Sequence, residues 1–285
     1  MNLDPPPSIV ELVKDNFNAD SIWKKWLNNL YEWIKENMSK DFMLEVAAGN
    51  VNGHSSVNKF GASSSVADGV AEEIWDGAAA YTWPTTASIT HVRAAVDSAA
   101  TQGMVIEVQG LDTDYALVMQ DATLDGTDST TEVVLTTALR RVFRIKVKDD
   151  SSTDQAIWVG PTGFATQQAI VQIGNNQTLM AIYTVPAGKT AYITKYYASI
   201  IGEAGPPATI PDFVLFRLWN RDNANGYAPQ LKHEIGTAIV GTSVVTHKFE
   251  PYSKVTEKTD IWLEATPDGD DAYVSAGFDL ILVNN

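Results

Sequence analysis

Four histidines, His54, His91, His233 and His247, are the side chains best suited to moving protons near neutral pH. They are scattered, with no i,i+4 helical pair and no H-E-x-x-H spacing, so neither a metal site nor a general base is expected of them. The chain has no cysteine, which removes disulfides, thiolate zinc sites and thiol nucleophiles. G-x-S-x-G, the P-loop and G-x-G-x-x-G are missing too. Carboxylates cluster at Asp112/Asp114, Asp121/Asp125/Asp128 and Asp268/Asp270/Asp271, where oxygen-rich loops could hold calcium. None follows the EF-hand pattern, and Asp beside Gly is ordinary turn chemistry, which is the preferred reading. No catalytic residue, metal or cofactor is assigned, and the chain is not expected to be an enzyme.

A basic stretch, Arg140, Arg141, Arg144, Lys146 and Lys148, alternates with Phe143, Ile145 and Val147. That alternation makes it the solvent face of a strand rather than a binding patch. Trp75, Tyr81 and Trp83, and likewise Tyr192, Tyr196 and Tyr197, could form a flat platform for sugars, with core or interface packing the commoner fate.

The elements that would carry these residues are of two kinds. The chain opens on Asp4-Pro5-Pro6-Pro7-Ser8, in which consecutive prolines fix φ and remove donors, giving an extended arm. The Asn18-Ala19-Asp20-Ser21 cluster then offers N-caps before an apolar-periodic run, predicting a helix over 20–38. Ile22, Trp23, Trp26, Leu27, Leu30, Trp33, Ile34 and Met38 fall on one face, and Lys24, Lys25, Asn28, Glu32 and Lys35 on the other. An isolated helix of this length is marginal in water. Each Trp would contribute at most roughly 4–6 kcal/mol on full burial of about 150–250 Å². Such a face calls for a surface, either another protein or further copies of this chain.

From about Met43 short alternating stretches take over, clearest at 143–147 and 274–282, with others at 89–96, 104–109, 114–120, 131–136, 156–159, 168–173, 178–185, 190–201, 212–219, 243–249 and 260–265. The expectation is an all-β fold of two β-sandwich or jelly-roll-like domains behind an extended arm and one amphipathic α-helix. The polar stretch Lys148–Asp154 suggests domains 1–42, 43–150 and 151–285. The 285 residues, 45% of them hydrophobic, suffice for such cores, and the net charge of −15 argues against nucleic acid as a partner. No apolar run approaches about 18 residues and no signal-peptide pattern opens the chain, so neither membrane insertion nor export is expected.

Leu3-Asp4-Pro5-Pro6-Pro7, followed by Ser21-Ile22-Trp23-Lys24-Lys25-Trp26-Leu27 and Leu30-Tyr31, resembles the N-terminal segment of many tailed-bacteriophage virion proteins. The stretch Val46–Gly61 is similar to the opening of a β-rich structural protein of marine phages, and Val108–Asp112 and Val185–Gly188 fit the same likeness. The resemblance implies a virion component made in the bacterial host cytoplasm, docked through Pro5, Pro6, Pro7, Trp23, Trp26, Leu27, Leu30, Trp33 and Ile34 onto other virion proteins of the tail, collar or capsid. A fibre or appendage protein is the first expectation, a homotrimer its oligomer, and a host surface receptor a further partner. A capsid shell or head decoration (cement) protein is the alternative, and a glycan-binding or glycan-cleaving tail protein the second.

Overall fold

The computed structural model describes residues 19–38, 41–77, 80–203, 211–238 and 244–285. Two compact units meet at Ser55/Ser56. The first contains helix α1 (Ala19–Met38), as the periodicity predicts, and a second helix, α2 (Phe42–Ala47), that the expectation of one helix missed. Asp41 starts α2, its carboxylate accepting the Met43 N–H at 2.9 Å, at the point from which alternating stretches are expected.

The described residues of the second unit form antiparallel sheets and one 3-10 turn, Thr162–Phe164. Its strands are β1 (His54–Val66), β2 (Glu72–Glu73), β3 (Ile89–Ala94), β4 (Val105–Leu111), β5 (Leu117–Thr123), β6 (Val133–Leu139), β7 (Arg141–Val147), β8 (Ile157–Gly160), β9 (Ala169–Val171), β10 (Ile182–Thr184), β11 (Lys189–Glu203), β12 (Phe213–Asp222), β13 (Gln230–Ala238), β14 (Val244–Val255), β15 (Thr259–Asp268) and β16 (Ala272–Asn284). One sheet runs β1-β16-β11-β14, and a second β10-β15-β12-β13, with β2 also on β15. Taken in chain order, that is the eight-strand jelly roll, with β2 and β10 counted as one strand: consecutive strands alternate between the two sheets except β12 and β13, a hairpin within the second. Tyr196, Phe216, Leu263 and Phe278 fill the space between the sheets.

The strand that begins the second sheet is split. Glu72 and Glu73 of β2 pair with Ala265 and Glu264, while Ile182–Thr184 of β10 pair with Trp262–Asp260, so the two pieces follow one another along the same side of β15. At the split, the Ala181 N–H donates to Ile74 O at 2.9 Å and Trp75 bridges Met180. Everything between leaves and returns through this two-strand neck and forms a second sandwich, β6-β3-β8-β9 against β5-β4-β7. Ile89, Ile106, Leu139, Ile145 and Ile157 form its core. The Lys148–Asp154 stretch lies between β7 and β8, where the Asp154 carboxylate accepts the Ser98 and Thr101 hydroxyls at 2.5 Å.

Local sequence explains two irregularities. The inward residues of β11 are Ala191 and Ile193, then Tyr196, Ala198 and Ile200, and the change of parity falls at Thr194, where the register shifts. Gly61 of β1 lies against the neck, where a Cβ would sit 2.4 Å from both Ala181 N and Ile74 O, so only glycine allows the approach.

Candidate functional site

Where the inserted sandwich meets the jelly roll, one carboxylate gathers an unusual set of cations. Asp260, on β15 and 0% exposed, accepts from Arg141 Nε at 2.9 Å and Nη2 at 3.0 Å, the bidentate fork geometry. Arg221 of β12 adds Nε at 3.1 Å and Nη2 at 2.7 Å, Asn223 Nδ2 adds 2.8 Å, and the Thr184 hydroxyl adds 2.7 Å. Burial works to raise the Asp260 carboxyl, but the hydrogen bonds and charge of Arg141, with Asn223 and Thr184, outweigh it and hold the group below the ordinary carboxylate range. Asp260 is therefore a fixed anion, not a base.

In front of it opens a cavity of about 290 Å³, whose lining includes Trp83, Tyr115, Arg140, Arg141, Arg221 and Tyr227. No carboxylate is among the lining residues. Backbone oxygens fix the walls: Arg141 Nη1 donates to Pro84 O, and Arg140 Nη1 to Thr85 O at 2.8 Å. Aromatic faces take the flat sides of the guanidiniums, Arg221 over Trp83 at 4.7 Å and Arg140 over Tyr115 at 5.1 Å. Tyr115 holds φ at +65° in the β4–β5 turn, a strained backbone set by Asp112, which accepts the Asp114 and Ala116 N–H groups. Such a site has no nucleophile with a base beside it, and what it offers is binding.

The strand-face reading of the basic stretch holds for part of it. Lys146 pairs with Glu107 and Lys148 with Asp121, both at 2.8 Å and partly exposed, while Phe143 and Ile145 point inward. Arg141 overturns it. Gln109 faces Arg144 and Gly110 faces Val142, so Phe143 is an extra residue in β7 and parity reverses beyond it, setting Arg141 on the face of Arg144 and Lys146, where Asp260 of the jelly roll meets it and its exposure is 3%. The partner that makes burial tolerable is 119 residues away, so no local pattern announces it. A second cation crosses nearby: the buried Lys59 Nζ donates to Phe143 O, and burial, with Arg144 close by, lowers its pKa well below the ordinary value.

The aromatic residues divide. Trp75 and Tyr81 are core, edge-on at 5.3 Å, and Tyr196 is buried in the jelly roll, but Trp83 reaches the cavity. The aspartate clusters serve as turns, Asp125 accepting from Thr127 and Asp128 N–H, and Asp128 from Thr130. Among the described residues, no group of three or more His, Asp or Glu side chains could hold a metal ion. His233 of β13 and His247 of β14 stack at 3.7 Å, a pair invisible at a spacing of 14 residues, with the Tyr196 hydroxyl 2.6 Å from His233 Nδ1.

Of the expected docking residues, Pro5, Pro6 and Pro7 lie outside the described residues. Trp23, Trp26, Leu30, Trp33 and Ile34 are half-buried on α1, with the rings of Trp23 and Trp26 edge-on at 5.8 Å. Leu27, at the margin of that stripe, is 51% exposed and Tyr31 61%. No described helix is long and apolar enough to cross a membrane.

No protein-family model matches the chain, and no curated protein matches it. Among solved structures, one titled "Structure of infectious bursal disease virus Gt strain" aligns over 86% of this chain and 78% of that chain, with 10% identity and a TM-score of 0.24.

Proposed function

We propose that the chain is a structural component of a virus particle, a shell or head-decoration subunit whose N-terminal segment attaches it and whose β body stands as a self-contained block. The observation that carries this is the jelly-roll strand order, β1-β16-β11-β14 over β10-β15-β12-β13, an architecture used by viral capsid and lectin domains. The fold is shared by unrelated activities, so the choice among them rests on the site. The arginine cavity is built to bind rather than to react. The N-terminal motif's resemblance to tailed-phage virion proteins supplies the setting, a bacteriophage particle assembled in its host.

The fibre or appendage placement shares the same anchor. The shell placement is favoured by the two hydrophobic cores that the described strands of one chain build, joined where Leu111, Tyr115 and Phe143 meet the jelly roll. A homotrimer remains a proposal carried by the exposed margin of α1, Leu27 and Tyr31.

Deleting residues 1–42 is expected to leave a folded β body that no longer joins particles. Circular dichroism and particle sedimentation read the two halves of that statement. Incorporation of the truncated chain at the normal level sinks the anchor. Gold label confined to tail or collar of intact particles would replace the shell reading with the fibre reading.

A further inference from the structure

We infer that the cavity between the inserted sandwich and the jelly roll binds a single acidic saccharide residue, its anionic group against Arg140 and Arg221 and its ring on Tyr227. This goes beyond the particle assignment and does not depend on it. The first argument is charge. Three guanidiniums line the cavity, one buried carboxylate, Asp260, lies behind them, and no other carboxylate is in the lining, so the site carries an excess of positive charge in a chain of net charge −15. Like charges held together in a partly desolvated space are relieved by an anion.

The second argument is valence. Arg141 commits all three of its nitrogens, to Asp260, Pro84 O and Arg140 O. Arg140 does not: its Nε is buried with no acceptor, while Nη1 is held by Thr85 O. Arg221 turns Nε and Nη2 to Asp260 and leaves Nη1 without an acceptor among the described residues. An unsatisfied buried guanidinium nitrogen is costly, and an oxyanion is its natural partner.

The third argument is size and surface. About 290 Å³ corresponds to the space of roughly ten waters, far more than a bare sulfate or carboxylate fills and suited to one sugar ring. The faces of Trp83 and Tyr115 are taken by guanidiniums, whereas Tyr227 lines the cavity at 56% exposure. An exposed phenol ring beside paired charged forks is the chemistry that recognises a sugar's C–H face and its carboxylate together.

Titration calorimetry on the full chain tests this, with galacturonate and glucuronate as probes, galactose and glucose as neutral counterparts, and sodium sulfate as the bare oxyanion. At least one uronate is expected to bind with a Kd near or below about 1 mM, about tenfold or more tighter than its neutral counterpart, and to weaken with added salt. Arg140→Gln should weaken it by about tenfold. Tyr227→Ala, an exposed change that leaves the melting temperature in place, should weaken it severalfold. If Arg140→Gln does not fold, Tyr227→Ala and the salt series decide. Absence of uronate binding, or equal binding of the neutral sugar, overturns the inference. So does sulfate binding as tightly as the uronate with no effect of Tyr227→Ala, which would leave only an oxyanion site.

Discussion

At the scale of single residues the molecule is organised around Asp260. A carboxylate removed from water is tolerable only when its lone pairs and charge are matched, and here Arg141, Arg221, Asn223 and Thr184 match them. Asp260→Asn keeps the shape and removes the charge, leaving two guanidiniums around a group that can no longer accept from all of them. The variant is expected to lose roughly 3–5 kcal/mol of stability, the cost of breaking a buried pair from one side. Urea unfolding measures it, and a loss below about 1 kcal/mol would mean that water or a neighbour replaces the missing charge. Little of this was legible beforehand. Arg141 stands in a run read as a solvent face, and what buries it is Asp260, 119 residues away on a jelly-roll strand, which the alternation of one strand cannot reveal.

At the scale of elements, the neck between Ile74 and Ala181 holds a second charged group in an unfavourable place. Burial raises the Asp76 carboxyl from 3.8 to about 7, although the Leu179 N–H donated to Oδ2 at 2.9 Å works the other way. Between those values the folded state keeps a proton that the unfolded chain has released. This group's stabilising contribution is therefore complete below pH 3.8 and lost as pH rises through 7. Asp76→Asn keeps an acceptor for Leu179 without the ionisation. It should melt above the parent near pH 8, with the gap closing toward pH 5, and a gap independent of pH would show that Asp76 does not titrate there. Elements differ in how openly the sequence displays them. Strands with one wet and one dry face, such as β4 and β12, follow their alternation. β13, from Gln230 to Ala238, is an edge strand with mostly exposed side chains, and β1 is rich in Ser, Asn and Gly, so neither offers a hydrophobic period to detect. Helix α2 is six residues, too short for a period of 3.6 to declare itself.

At the scale of the whole chain, the all-β class and the N-terminal helix follow from composition and period, whereas the strand order does not. Alternation says that a strand has two faces but not which strand lies beside it, and the pairing of β2 with β15 spans almost the whole β body. The nesting makes its own prediction. Because Ile74 and Ala181 are already hydrogen-bonded, residues 75–180 form a closed excursion, and a fragment of those residues should fold as a monomer with dispersed amide resonances. Its exposed contact face, Leu111, Tyr115 and Phe143, should make it less stable than in the parent. A spectrum of collapsed, unfolded amides would mean that the jelly roll is needed to template it.

The split strand also sets an order of events during synthesis. The jelly roll cannot close when β1 emerges from the ribosome, because its sheet neighbour β16 follows every other described strand of the two jelly-roll sheets, whereas the nested sandwich is complete once β9 is out. The middle of the molecule is therefore finished before its two flanks can meet. A chain whose translation stops before β16 carries the N-terminal helix but an open sheet edge, which marks it for proteolysis rather than assembly. Placing the partner of β1 at the far end of the jelly roll thus makes synthesis through β16 a condition for closing the subunit.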